Sequence, residues 1–231
     1  MRQQITSFID DLADTRLDGP LFNPYTAAVD DQRLVAANRI RRQNLQRYLV
    51  HLANTKPRVL LVGEAPGYRG CRLTGVPFTS EAIILDARIW PFGGQAGYRK
   101  TAEQAAVVKE ATATIVWSAL KDRRRLPLLW NALPFHPYRI GLPASNRRPN
   151  RQELLLGRRF LVELIAIFMP QVVVAVGRSA ARALDLAGLS EYKQLRHPSH
   201  GGKKEFLTGL AQLSDLTMEH RRQLDGSDPG R

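Results

Sequence analysis

The chain has 231 residues, 44% of them hydrophobic, with 34 Lys and Arg against 21 Asp and Glu and a formal net charge of +13. That apolar content excludes an intrinsically disordered chain and suffices for one large α/β domain or two small ones. A single cysteine, Cys71, excludes any intramolecular disulfide and suits a reducing cytosol, where the protein is expected to reside.

Only seven of the basic residues are lysine. The positive balance predicts an anionic partner, most simply nucleic acid. Arginine-rich genomic composition is the competing reading, but here Arg clusters sit beside the motif loops. No apolar run approaches a membrane span, and the start M-R-Q-Q-I-T-S-F-I-D-D lacks a signal-peptide hydrophobic region.

In chain order, residues 2–14 read as a short helix and residues 16–31, with Gly19-Pro20 and Asn23-Pro24, as an irregular arm. From Gln32 to Ala53 the spacing of Leu34, Val35, Ile40, Leu45, Tyr48, Leu49 and Leu52 predicts an amphipathic helix. Its polar face, with Arg33, Arg39, Arg41, Arg42 and Arg47, reads mostly as solvated. Val59 to Val62 is a short apolar run of the kind that forms a strand buried on both faces. Residues 82–89 read as helical, and residues 91–97 as a mobile flap or a linker. Thr101 with Gln104 has the capping-box pattern for a helix over 102–120, followed by the basic turn Arg123-Arg124-Arg125.

Leu126 to Ala132 is the second buried strand. A long Pro-, Arg- and aromatic-rich loop, residues 133–149, follows it; loops of that length are often functional. Asn150 and Glu153 cap a helix over 151–168, with Leu154, Leu155, Phe160, Leu161, Leu164, Ile165 and Phe168 expected in the core. Val172 to Val176 is a third strand, 178–187 a helix, Tyr192 to Leu195 a fourth strand and 203–222 a last helix. The tail 224–231 is expected to be disordered. Strands alternating with helices imply an α/β fold, a parallel sheet covered on both faces, within a single domain over 1–223 whose helical arm spans 1–54.

Gly63 to Glu81, G-E-A-P-G-Y-R-G-C-R-L-T-G-V-P-F-T-S-E, is a punctuated loop at the carboxyl end of the first buried strand, where open α/β sheets bind ligands. It holds two carboxylates, Glu64 and Glu81, and the ring of Phe78. This is a catalytic inventory, but spacing alone does not name the reaction. Two further stretches carry chemistry, Leu128-Leu129-Trp130-Asn131 and His197-Pro198-Ser199, each at a predicted strand end.

G-E-A-P-G with T-G-V-P-F-T, L-L-W-N and H-P-S, in that order, resemble the three motifs of the uracil-DNA glycosylase superfamily over residues 55–210. Gly63 to Gly67 is similar to the thermophile-type bacterial and archaeal branch. The spacing from Gly67 to Phe78 is similar to the second thermophile-type and the single-strand-selective branches. The resemblance implies a three-layer α/β/α sandwich around a four-stranded parallel sheet, and a monofunctional enzyme cleaving the N-glycosidic bond of uracil or a related pyrimidine in DNA. It implies that Asn131 reads the base edge, Phe78 stacks on the base, His197 donates to its O2, and Gly63 and Gly67 shape the pocket. Glu81, with Glu64 second, is expected to position water. Ser199, His200, Lys203, Lys204, Arg147 and Arg148 are expected on DNA.

Departures from the family pattern are specific. One cysteine cannot build the iron–sulfur site usual in the G-E-A-P-G branch, so a cluster-free, cofactor-free, metal-free monomer is expected. His197 and His200 without a third ligand do not read as a metal site. Ala65 stands where the most efficient branch has a catalytic Asp. Gly67 stands where the strictest branch has a Tyr that blocks the thymine methyl, which leaves room for larger 5-substituents. No large apolar wedge follows His197-Pro198-Ser199. Two rivals therefore stay open: a glycosylase for a bulky 5-substituted pyrimidine in foreign DNA, and a module that binds a modified base or DNA without cleaving.

Overall fold

The computed structural model describes residues 1–26, 31–101, 105–123, 125–199 and 201–224, with side chains as far as Leu213 in the last helix. Gln104, Arg124, His200 and tail residues 225–231, all part of the expectations above, lie outside the described residues.

Helix α1 (Arg2–Asp14) buries Ile5, Phe8, Ile9, Leu12 and Ala13 along one stripe. The arm behind it contributes a two-residue strand, β1 (Leu21–Phe22). Helix α2 (Gln32–Thr55) begins where the Asp31 carboxylate accepts from the amides of Arg33 and Leu34, and it buries Leu45, Tyr48, Leu49 and Leu52. Arg41, expected on the solvated face, is instead buried. Its Nε donates to the Leu73 carbonyl at 3.3 Å, and burial lowers its pKa to about 10. Its length lets it bridge α2 to the motif loop, which helical spacing alone does not reveal.

Strand β2 (Val59–Gly63) leads into that loop, which contains α3 (Cys71–Thr74) and α4 (Glu81–Ile84). Residues 91–97 are no flap: Phe92 is buried against Trp117, Tyr98 and Tyr48, and Gly94–Ala96 forms a single 3-10 turn. Helix α5 (Ala111–Leu120) starts later than its predicted position because Glu110 caps it, accepting from the amides of Thr112 and Ala113. The described residues just before it are extended, with Val108 bonded to Ala82 and Glu81.

Strand β3 (Leu128–Asn131) is fully buried. In the loop after it, β4 (His136–Pro137) pairs with β1 and ties the N-terminal arm to the site. Helix α6 (Arg151–Phe168) carries the predicted capping box of Asn150 and Glu153. Its core face is Leu154, Gly157, Phe160, Leu161, Leu164, Ile167 and Phe168; Leu155 lies on the solvent flank, 41% exposed, and Ile165 is only partly buried. Gly157 is required there: a Cβ would sit 2.0 Å from the Ala132 carbonyl oxygen. The chain ends with β5 (Val172–Val176), α7 (Arg178–Leu186), β6 (Lys193–Leu195) and α8 (Lys203–Leu224).

The four longer-range strands form one parallel sheet in the order β3-β2-β5-β6, flanked by helices in a three-layer α/β/α sandwich. The register sets Gly63 beside Asn131 and Val176 beside Leu195. The chain leaves β2 toward β3 on one side and leaves β5 toward β6 on the other, so a crevice opens at the carboxyl ends between β2 and β5. At the β3 edge, Tyr48 hydroxyl accepts the Leu129 amide at 2.8 Å, which covers an otherwise open strand edge. No helix among the described residues is long and apolar enough to cross a membrane.

Candidate active site

The carboxyl ends of β2 and β3 and the turn beyond β6 deliver side chains to one cavity of about 710 Å³. Its walls include Gly63, Glu64, Ala65 and Gly67 from the loop after β2, Phe78 further along that loop, Asn131 from β3 and His197 from beyond β6. Arg139, Asn146, Arg147 and Arg148 from the loop after β4 form the rim, with Thr79, Glu110 and Thr112 on another side.

Phe78 is held in an unusual backbone state. Its φ is +56°, which bulky L-residues seldom adopt, and such residues cluster where side-chain aim matters. The Trp117 indole donates to the Phe78 carbonyl at 3.0 Å, and the Thr74 and Thr79 hydroxyls bond each other and the Val76 carbonyl around the turn. The ring then lies against Gly63, where a Cβ would meet Phe78 Cζ at 2.5 Å and Asn131 Oδ1 at 2.9 Å. Asn131 is 5% exposed, and among the described residues no protein group takes up its amide in a hydrogen bond. A buried amide left open toward a cavity is suited to a ligand.

His197 is seated by two close approaches. Its Cβ lies 3.2 Å from where a side chain on Gly177 would begin, and a Cβ on Gly202 would clash with its carbonyl oxygen at 2.1 Å. The Ser199 amide donates to His197 Nδ1 at 3.2 Å, and Ser199 Oγ lies 2.7 Å from the same nitrogen. A backbone N–H aimed at Nδ1 fits the tautomer with the ring hydrogen on Nε2.

The two carboxylates named by the motif separate cleanly. Glu64 lines the cavity; burial raises its pKa, against the opposing pull of the Ser179 hydroxyl and the Arg148 charge. Because Ser179 stands at the start of α7 after β5, this contact spans the crevice between β2 and β5. Glu81 is 3% exposed, does not line the cavity, and accepts the Val108 amide at 2.9 Å through Oε2. The structure thus places Glu81, the carboxylate expected first to position water, away from the cavity wall, and Glu64 on it. At the first turn of α4 the Glu81 side chain is turned toward the 105–110 segment, a direction the F-T-S-E sequence does not encode. Glu110, a third acid at the wall, is occupied in capping α5.

Arg147 and Arg148 line the rim, but Arg147 is committed to the structure. It pairs with both oxygens of Glu153, at 2.8 and 2.6 Å, and donates to the Tyr138 and Pro20 carbonyls. Lys203 and Lys204 are exposed at the start of α8, away from the cavity wall. Gly67 faces open space, its nearest neighbour on a built Cβ being Asn146 at 4.0 Å. Cys71 reaches the cavity but is almost wholly buried beside Tyr25, and burial pushes its thiol up to about 12, so it is no nucleophile. Arg139, Asn146, Thr112 and Ser179 escaped the sequence reading because only the fold brings them to the motif loop.

The structure is thus an α/β sandwich whose candidate site lies at the carboxyl ends of its parallel sheet and holds an open amide, an aromatic face, an imidazole and a carboxylate. Residues 50–223 match the Uracil DNA glycosylase superfamily, and the chain belongs to that family, whose members are DNA glycosylases. Among solved structures it is similar to wild-type SMUG2 of Pedobacter heparinus, at 13% identity and a TM-score of 0.60, covering 98% of each chain; that likeness is one of fold. No curated protein sequence matches.

Proposed function

We propose that the protein is a monofunctional DNA glycosylase that hydrolyses the N-glycosidic bond of uracil or a related modified pyrimidine in DNA and leaves an abasic site. The observation that carries this reading is the convergence of Asn131, Phe78, Glu64 and His197 on one cavity at the strand ends.

A base inside a duplex is out of reach and must leave the stack. Once in the cavity it stacks on Phe78, an interaction of about 1–3 kcal/mol per base. The Asn131 amide offers a coplanar donor and acceptor to O4 and N3–H of uracil. As the bond from the sugar C1′ to N1 breaks, its electron pair passes to the base and spreads to O2. Nε2–H of His197 donates there, and a preorganised donor of this kind is worth about 2.7–4 kcal/mol in the transition state. Water attacks C1′ while Glu64 orients it and accepts its proton. The raised pKa of Glu64 makes it a better base than an exposed carboxylate.

A second reading keeps this chemistry and enlarges the substrate to a bulky 5-substituted pyrimidine; the open space at Gly67 favours it. Oligonucleotides with uracil or such bases, treated with protein and then alkali, test both readings, because strand breaks report abasic sites. Binding to these oligonucleotides with no breaks on any of them would favour the non-cleaving module, for which Ala65 in the cavity wall speaks.

A further inference from the structure

Extracting a base leaves a gap in the stack, and proteins that open duplexes fill such gaps with apolar side chains. The loop after His197 has Gly201, Gly202, Lys203 and Lys204 among its described residues and holds no large apolar group there. The loop after β4, whose Arg139 lines the cavity, carries two such groups. Ile140 is 86% exposed and Leu142 57% exposed, at the tip of the loop that follows β4. Met169 is comparably exposed but sits at the opposite end of the sheet, just before β5 begins.

The tip is built as a rigid projection. The Leu142 amide donates to the Arg139 carbonyl at 2.8 Å, with Gly141 at φ +75° in the third position of the turn, the signature of a type II turn. Ser145 braces it twice, accepting the Arg139 amide at 3.0 Å and donating to the Leu142 carbonyl at 2.7 Å. The base of the loop is pinned by Tyr138 to Pro20 and by Arg147 to Tyr138. Arg139 next to the tip lines the cavity, as do Arg147 and Arg148 further along. Single exposed apolar residues are ordinary. Two on a braced turn, beside Arg139 at the mouth of the base cavity, form a surface that suits phosphates around an opened base stack.

We infer that Ile140, supported by Leu142, is the wedge that enters the DNA duplex when the target base leaves it, replacing the apolar residue missing after His197-Pro198-Ser199. This rests on the glycosylase reading for its substrate. It assigns to the loop after β4 a role that the motifs do not.

The test uses the full chain with Ile140→Ser, Leu142→Ser, the double variant, and Ile140→Phe as a bulk-preserving control. Single-turnover cleavage is compared on matched duplex and single-stranded uracil oligonucleotides, and melting temperature checks folding. The double variant should lose tenfold or more on duplex, stay within about twofold on single strand, and melt like the parent, while Ile140→Phe retains duplex activity. Equal losses on both substrates, no loss on duplex, or a parent active only on single strands would overturn the wedge. If the parent cleaves nothing, the glycosylase reading fails separately. The wedge is then read from the fluorescence of 2-aminopurine placed beside uracil, or beside a tetrahydrofuran abasic analogue, in a bound duplex. A rise with the parent that the double variant lacks supports it, and equal signals overturn it.

Discussion

Gly63 and Phe78 share one space: a Cβ at position 63 would lie 2.5 Å from Cζ of the ring. The same Cβ would lie 2.9 Å from Asn131 Oδ1, so this glycine lets the two proposed base contacts approach each other. Both clashes involve side-chain ends, which can swing away. Gly63→Ala should therefore keep its melting temperature and lose cleavage through weaker engagement of the base, seen as a raised KM in steady-state assays. Gly157→Ala is the contrast, because its clash is with backbone, the Ala132 carbonyl at 2.0 Å. That variant should melt well below the parent. If Gly63→Ala instead behaves like Gly157→Ala, the glycine serves the fold and not the pocket.

The position of Glu64 predicts a pH dependence. Burial raises its pKa, and the proposed base must be ionised, so cleavage should fall as pH drops through a value above the ordinary carboxylate range. Glu64→Gln should abolish that acid limb and most of the rate. Linkage gives the opposite sign for stability. A carboxyl whose folded pKa is raised stabilises the fold below its unfolded pKa, and that contribution is lost as pH rises through the folded pKa. Glu64→Gln should consequently melt at or above the parent near neutrality. Glu81→Gln should cleave like the parent, while Glu81→Ala should lower stability by about 1–3 kcal/mol, the usual consequence of leaving a buried amide such as that of Val108 unpaired. An inactive Glu81→Gln with an active Glu64→Gln would reverse the assignment.

How much of this was legible beforehand differs by residue. Strands β2, β3 and β5 are readable because buried parallel strands are short unbroken apolar runs, as in Val172 to Val176, whereas the two-residue β1 and β4 carry no such run. The Asn150–Glu153 box was readable because both partners lie within one helical turn. Whatever depended on a side chain's direction was not. Glu64 and Glu81 occupy the same loop, yet only tertiary packing turns one to the cavity and the other to Val108. Glu110 displaced the expected start of α5 because an acid is a good cap only where the preceding chain is extended. Arg41 and Phe92 were misread for a related reason, since a long cation or a Gly-flanked aromatic reaches the core from a surface-like sequence.

Charge at the DNA surface should divide into two kinds. Lys203 and Lys204 are exposed, and their replacement by Ala should weaken binding alike for all sequences and flatten the dependence of log K on log salt by up to about 1.8 if both neutralise phosphates. Arg147 is held by Glu153 and by the Tyr138 and Pro20 carbonyls, so Arg147→Ala should chiefly lower the melting temperature. Salt titrations of binding together with thermal melts separate the two outcomes. An unchanged slope in the double lysine variant would assign the net charge of +13 to composition and not to this surface.

Open space at Gly67 predicts a gate that can be closed. A side chain there would start 4.0 Å from Asn146, whose Oδ1 accepts the Tyr68 amide and holds the rim in place. Gly67 has no positive φ, so a substitution carries no backbone strain. Gly67→Tyr should lose cleavage of 5-substituted pyrimidines more than of uracil, measured as the ratio of kcat/KM values. An equal loss on every substrate would indicate a disturbed loop.

His197 carries the most direct test of mechanism. The Ser199 amide, 3.2 Å from Nδ1, fits the tautomer that presents hydrogen from Nε2, and the proposed mechanism uses that tautomer. A bond to the base O2 strengthens only as negative charge develops there, and it should therefore act on the transition state more than on binding. His197→Ala should slow single-turnover cleavage by about a hundredfold or more, in line with the loss of one preorganised donor, while Kd for uracil-containing DNA stays close to the parent value. His197→Gln retains an N–H and should recover part of that loss if its reach suffices. Ser199→Ala removes the hydroxyl but leaves the amide contact, so a smaller loss than in His197→Ala is expected. Gly177→Ala would push on the His197 Cβ from 3.2 Å, at a backbone φ of +89° that disfavours any side chain. It should reduce the rate without touching the DNA. A His197→Ala variant that loses affinity and rate in equal measure would make the imidazole a binding group, and the charge on the departing base would then need another donor in the cavity wall.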